Sequence, residues 1–322
     1  MTAATTVPRR RLGPGGPEVP VLALGSWNTW DRMDVDDAVA LVARAAELGC
    51  AFFDVAHYDS GPHAENAQTD LIFGRAVREA GLERDDWQFC GKLWLWDYPA
   101  TGFTRQMETS LERVGVERAD TVVVGDYVGE LDVERVVADV AEQVEAGRFA
   151  SWGVNNWRYP DLRAAIDTAH GRGLVPPTFA QLKYGPARRS MAEGRYYAPV
   201  FDAGELALQA SDVFEGGVLV GNLAPTRKIG VDVGGIRERI AAAYPRVQQL
   251  ADELGASPAQ LGIAFCLANP ATANVLVGVS TQAQLMDNVG ALALLDRVGA
   301  ATLRELTAEL WIDRDVAADG TW

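Results

Sequence analysis

Asp120-Thr121-Val122-Val123-Val124, then Asp132 through Gly147, then Phe149-Ala150-Ser151-Trp152-Gly153-Val154: these three successive stretches decide the fold. The first and third are short and almost continuously apolar, the pattern of parallel strands buried on both faces. Between them Val133, Val136, Val137, Val140 and Val144 recur at helical spacing. Asp132 stands where a helix N-cap belongs and Gly147 just past the end, so the order reads strand, helix, strand.

The same unit recurs outward in both directions. Strand-like runs occur at Val19–Leu24, Ala51–Asp54, Trp87–Leu93, Asp120–Val124, Phe149–Val154, Thr178–Leu182, Leu206–Ala210 and Asn274–Val279. Asp34 is placed to cap a helix that carries Val39, Val42 and Ala46 toward the core and stops at Gly49. Further helices are expected at Gly235–Leu254, Pro258–Leu267 and Ala300–Leu310, and Gly13-Pro14-Gly15-Gly16 is a turn within Arg11–Pro20. Together these units predict one α/β domain over residues 1–322, a (β/α)8 TIM barrel. An open doubly wound sheet would need a G-x-G-x-x-G turn after its first strand, and Gly25-Ser26-Trp27-Asn28 is not one.

Composition narrows the partners. At 48% hydrophobic and 23% charged, the 322 residues are ordinary for a soluble enzyme. A net charge of −15 argues against nucleic acid and anionic membrane as partners, because both are polyanions. It leaves room for a phosphorylated cofactor, which needs only a local cluster of donors. No apolar run approaches the ~18 residues of a membrane span, and Met1–Arg11 has no signal-like core, so a cytoplasmic protein is expected. Cys50, Cys90 and Cys266 read as buried structural thiols, and His57, His63 and His170 are too dispersed for a metal site.

In such a barrel the chemistry sits at the C-terminal ends of the strands. Asp54 ends one strand run and Lys92 lies in the next; opposite charges in an apolar barrel are expected to pair. The pair is open to two readings, a structural ion pair or a device that tunes a nearby proton donor. The lysine is notable because only Lys92, Lys183 and Lys228 occur among the chain's basic residues, the rest being arginines.

Motifs distributed over the whole chain resemble those of the aldo-keto reductase superfamily. They are Phe52-Phe53-Asp54-Val55-Ala56-His57 with Glu65 and Gly74-Arg75-Ala76, and Ser110 to Val116 with Asp120. Gly153-Val154-Asn155-Asn156-Trp157, Gln181 with Tyr184, and Gly278-Val279-Ser280-Thr281 with Gln284, Leu285 and Asn288 continue the series. The branch that this pattern is most similar to includes bacterial sugar and carbonyl reductases and potassium-channel β-subunits. The resemblance implies hydride transfer between NADP(H) and a carbonyl or alcohol, with an Asp, a Tyr acid, a Lys and a His in the site. Asp54 and Lys92 match. The tyrosine position aligns with Asp59, one residue after Tyr58, so either Tyr58 still reaches the site or Asp59 replaces the phenol. A carboxyl there would have to be buried to keep its proton, and Lys92 works against that. The histidine position is Gly125, with Tyr127 two residues on as an alternative hydroxyl.

The resemblance also implies a cofactor cradle. Asn155, Asn156 and Gln181 offer amides suited to a nicotinamide carboxamide. Ser280 and Thr281 begin a helix with Gln284 and Asn288 on one face for the adenosine. Ser26, Trp27, Asp54 and Ser211 complete the cradle, and Arg227 with Lys228 reads as a phosphate clasp or as solvated loop charge. Where the family stacks an aromatic on the nicotinamide this chain has Ala210, with Phe214 a candidate substitute. Trp27, Trp30, Trp94, Trp96 and Trp157 fall on or beside rim loops and suit a substrate with an apolar or sugar-ring face. The expected activity is therefore an NADP(H)-dependent oxidoreductase with a modified proton-donor site, acting on a small carbonyl, imine or sugar-like substrate. A cofactor-retaining epimerase, lyase or dehydratase, and a non-catalytic NADP-binding subunit, are the alternatives.

Overall fold

Ten strands carry the architecture of the computed structural model, which describes residues 7–27, 29–61, 67–125, 127–226 and 229–316. β1 (Arg9–Arg11) and β2 (Glu18–Pro20) form an antiparallel hairpin. The other eight are β3 (Leu22–Gly25), β4 (Phe52–Asp54), β5 (Gln88–Leu93), β6 (Thr121–Val124), β7 (Ser151–Asn155), β8 (Phe179–Lys183), β9 (Ala207–Ser211) and β10 (Thr272–Val277). They close in sequence order, β10 pairing with both β9 and β3, and every pairing is parallel. The molecule is a (β/α)8 barrel.

All eight expected runs are barrel strands, with one difference at the start. The run Val19–Leu24 is two elements: Glu18–Pro20 pairs with β1, and the chain enters the barrel only at Leu22. The hairpin has a packing reason. Leu12 and Val19 join Ala23, Phe52, Cys90, Val123, Phe179 and Ala207 in one buried cluster, so the hairpin plugs one end of the barrel. Side chains two apart on a strand share a face. Asp54, Lys92, Gly125, Gln181 and Gln209, each two residues beyond a member of that plug, therefore form the next layer toward the C-terminal rim.

Amphipathic helices cover the outside. Val133–Glu145 buries Val133, Val136, Val137 and Val140, and Asp132 caps it by accepting from the Arg135 N–H at 3.1 Å. Val35–Leu48 ends at Gly49 in the left-handed region, φ 76°; Asp34 holds its N-cap position without a side-chain bond there. Pro258–Leu267 begins as expected, under a capping box made by Ser257 and Gln260. The expected Ala300–Leu310 is a helix only to Leu306, followed by a single tight turn at Ala308–Leu310. Cys50, Cys90 and Cys266 are free and buried, and burial pushes the Cys50 thiol up to about 12. Among the described residues no helix is long and apolar enough to cross a membrane.

Candidate active site

Asp54 and Lys92 meet in the layer above the plug, but a third residue joins them. The Lys92 Nζ lies 3.6 Å from Asp54 Oδ1. Gln181 bridges the two charges: its Nε2 donates to Asp54 Oδ2 at 2.6 Å and its Oε1 accepts from Lys92 Nζ at 3.2 Å. The same amide donates to Gln209 Oε1 at 2.7 Å and accepts from Asn155 Nδ2 at 3.1 Å. An amide has two N–H donors and two acceptor lone pairs, so Gln181 is fully engaged within the protein. Asp54 is 4% exposed and Gln181 3%, a depth at which an unpaired carboxylate would be costly. The expected charge pair exists, with an amide shared between its members.

Beyond β4 the chain separates the two candidate acids by burial. Tyr58 is 2% exposed; its ring centroid lies 5.7 Å from that of Trp94, within a cluster of Ala56, Tyr58 and Trp94 flanked by Trp27 and Trp96. Asp59 points elsewhere. Its carboxylate is about half exposed and pairs with His57 Nδ1 at 3.4 Å.

Gly125 follows β6 with no side chain, and the space has been taken. A Cβ built there would stand 2.9 Å from Trp94 Cε3 and 3.3 Å from the Leu93 carbonyl oxygen. Trp94 is fixed on several sides. Its Nε1 donates to the His57 carbonyl at 2.8 Å, and Gln106 grips its backbone, accepting from its N–H at 2.7 Å and donating to its C=O at 3.0 Å. Lys92 Nζ lies 5.5 Å from the centroid of the same indole, a cation–π contact. Trp157 donates from Nε1 to the Gly125 carbonyl at 2.8 Å. The Tyr127 hydroxyl, the alternative at this position, is already engaged: it is bonded to Asp161 and Arg158, and burial followed by the Asp161 bond pushes its acidity well below that of an ordinary phenol. Trp30 belongs to the core, edge-on to Phe53 and Phe73.

The cofactor candidates lie around the same rim. Ser26 is 1% exposed and its Oγ has no partner among the described residues, an orphaned polar atom that points to a ligand there. Asn155 uses its Nδ2 on Gln181. Asn156, held at φ 50°, accepts the Lys183 backbone N–H on its Oδ1 at 3.1 Å. Ser211 ends β9 in register with Lys183. At the far side Thr281 caps the helix Gln282–Val298 by accepting from the Gln284 N–H, and Gln284 Oε1 accepts in turn from the Ser280 N–H at 2.8 Å. Asn288 is buried on that helix. Arg227 and Lys228 lie outside the described residues. Phe214 packs against the helix Pro258–Leu267, where a Cβ on Gly262 would come within 3.3 Å of its ring.

The profile of the aldo/keto reductase family matches residues 21–307, nearly the whole barrel. This chain belongs to the aldo/keto reductase family. It is 23% identical over 335 aligned positions to a Schizosaccharomyces pombe protein named putative voltage-gated potassium channel subunit beta, covering 95% of this chain and 96% of that one.

Within this family member, two groups of polar residues escaped the sequence reading. One is the amide row Gln209 and Asn274, hidden because a lone Gln or Asn in an apolar run carries no pattern. The other is a charged clasp behind the rim. Lys183 Nζ donates to Asp212 at 2.9 Å and to the Val231 carbonyl at 2.7 Å. Arg188 bonds Glu215 at 2.6 Å, Asp232 at 2.8 Å and the Val233 carbonyl at 2.6 Å. Asp232 then receives the Ile236 and Arg237 N–H groups at the start of helix Arg237–Glu253. Burial, then the neighbouring Asp212 charge, raises the Glu215 pKa, and its Oε2 has no partner among the described residues. The clasp stitches the segment after β9 to the end of β8; the one signal of it in sequence was the rarity of lysine.

Proposed function

We propose that this aldo/keto reductase, a cytoplasmic protein with residues 1–322 forming one domain, is an NADP(H)-dependent oxidoreductase. Its substrate would be a small carbonyl, imine or sugar-like molecule. The reading rests on one observation, the buried Asp54–Gln181–Lys92 constellation set beside Trp94, the indole against which Tyr58 packs. When bound, the cofactor supplies or receives the hydride. The residues present fit it: Ser26 with its orphan hydroxyl and Trp27 beside it, Asn155 and Asn156 next to Gln181 for the carboxamide, Asp54 and Ser211 along the rim, and Ser280, Gln284 and Asn288 at the helix start for the adenosine side.

Tyr58 is the proposed acid. Its phenol gives a proton to the substrate oxygen, and the positive charge of Lys92, which lies against the same Trp94 indole as Tyr58, favours the phenolate that remains. Gly125 contributes no imidazole, so proton delivery rests on Tyr58 alone, and substrates that need little acid help are favoured. The test is Tyr58→Phe, expected to lower carbonyl-dependent consumption of NADPH by roughly 10²- to 10⁴-fold with NADPH binding kept. Unchanged turnover would remove Tyr58 from the mechanism.

Gly125 and the likeness to a protein named as a potassium channel β subunit favour a second reading, a non-catalytic NADP-binding subunit. It requires NADPH binding without turnover across a broad panel of aldehydes, ketones and cyclic imines. Turnover of any member of the panel eliminates it.

A further inference from the structure

Across four adjacent strands the barrel carries amides in register: Asn155 on β7 opposite Gln181 on β8, Gln181 opposite Gln209 on β9, and Gln209 opposite Asn274 on β10. Their side chains are joined in the same order, with Asn155 to Gln181 at 3.1 Å, Gln181 to Gln209 at 2.7 Å and Gln209 to Asn274 at 3.1 Å. Gln209 and Asn274 are completely buried, so neither reaches a substrate.

The direction of the row is set at its charged end. Gln181 must turn its oxygen to the Lys92 ammonium and its nitrogen to the Asp54 carboxylate; the flipped amide would oppose donor to donor and acceptor to acceptor. Gln209 then has to present oxygen to Gln181 and nitrogen to Asn274 Oδ1. Asn274 Nδ2 is left with no partner among the described residues. Apolar side chains in these two places would remove the Asn274 orphan but leave the second Gln181 N–H unpaired instead, so the row exchanges one buried orphan donor for another and stability does not by itself account for it. Position does. Without the Gln209 oxygen, the second N–H of Gln181 has only Asp54 to turn to, and the amide is drawn away from Lys92 and Asn155.

We propose that Gln209, backed by Asn274, is a positioning residue for the Asp54–Lys92 pair, holding the Gln181 amide shared between the two charges. The inference rests on the oxidoreductase reading for its effect on turnover, and on the apo protein for its geometry. Gln209→Met preserves volume and removes both bonds, and Asn274→Leu removes the support behind it. The first readout is the side-chain amide spectrum of protein labelled with ¹⁵N-glutamine, in which the Gln181 pair is assigned by its loss in Gln181→Met. That resonance is expected to shift in Gln209→Met and, less, in Asn274→Leu. The second is kinetic: kcat, measured well below the thermal midpoint, falls about tenfold in Gln209→Met with a displaced pH profile, while the midpoint itself falls because the Gln181 N–H and the Asn274 oxygen are left unpaired. Gln209→Glu, which keeps an acceptor for Gln181, is expected to recover part of kcat with its own altered pH profile.

An unmoved Gln181 resonance in folded Gln209→Met overturns the proposal, as does a loss of activity that tracks thermal stability with no change in pH profile. If the native protein turns over no substrate, the oxidoreductase reading fails by itself, while the amide spectrum still decides whether Gln209 positions Gln181.

Discussion

Gly125→Ala is the smallest change that tests how the site is built. The added methyl carbon would lie 2.9 Å from Trp94 Cε3 and 3.3 Å from the Leu93 carbonyl oxygen. Carbon–carbon contact is comfortable at about 3.5–4.0 Å, so one side has to retreat by roughly half an ångström. Trp94 resists, being 5% exposed, tied through Nε1 to the His57 carbonyl at 2.8 Å and gripped at its backbone by Gln106. Overpacking against a fixed wall costs about 1–3 kcal/mol. The indole cannot shift without pulling on His57, the residue before Tyr58, so turnover should fall as well. Urea unfolding of Gly125→Ala, Trp94→Leu and the double variant measures the coupling. The methyl should be nearly neutral once the indole is gone, a coupling of about 1 kcal/mol or more. An equal cost for Gly125→Ala in both backgrounds would falsify the claim that Trp94 occupies this space. By the same reasoning Gly125→His should not place an imidazole in the site, and a gain in carbonyl reduction would count against it.

Two further expectations concern the clasp. A Cβ at Gly230 would stand 2.7 Å from both Lys183 Nζ and Asp212 Oδ2, so Gly230→Ala should part that pair, cost about 1–3 kcal/mol and speed limited proteolysis after β9; an unchanged digestion rate would count against the clasp. Glu215 has a folded-state pKa raised above its unfolded value, so the folded state holds that proton more tightly. Its contribution to stability therefore declines as pH rises from the unfolded carboxyl range, near 4.5, through the raised folded value. Glu215→Gln should flatten the plot of thermal midpoint against pH over that window, and parallel plots for the two proteins would refute the assignment.

Much of the barrel was legible because its signals are local. Strand runs buried on both faces, valines at helical spacing and a capping Asp132 read the same in a short window as in the folded chain, since the backbone period decides which face each side chain takes. The division of Val19–Leu24 into a hairpin strand and a barrel strand was not, because an apolar run is compatible with either pairing partner. Asp54 and Lys92 were found for a related reason: a charge at the end of an apolar strand stands out from its neighbours. Phe214 shows the opposite case. Its place after β9 suggested the mouth, and a short window could not show that its ring packs close to Gly262 in a helix far along the chain.

By itself, then, the sequence determined the order of elements, the barrel and the layer in which Asp54 and Lys92 stand. Only the tertiary structure decided that Tyr58 is buried and Asp59 is not, that Trp94 fills the space left by Gly125, and that Gln181 divides itself between the two charges. These depend on contacts between residues distant in the chain, 127 positions for Gln181 with Asp54 and 89 for Gln181 with Lys92. Such contacts are made by the closure of the barrel, and neither propensity nor periodicity in a short window carries them.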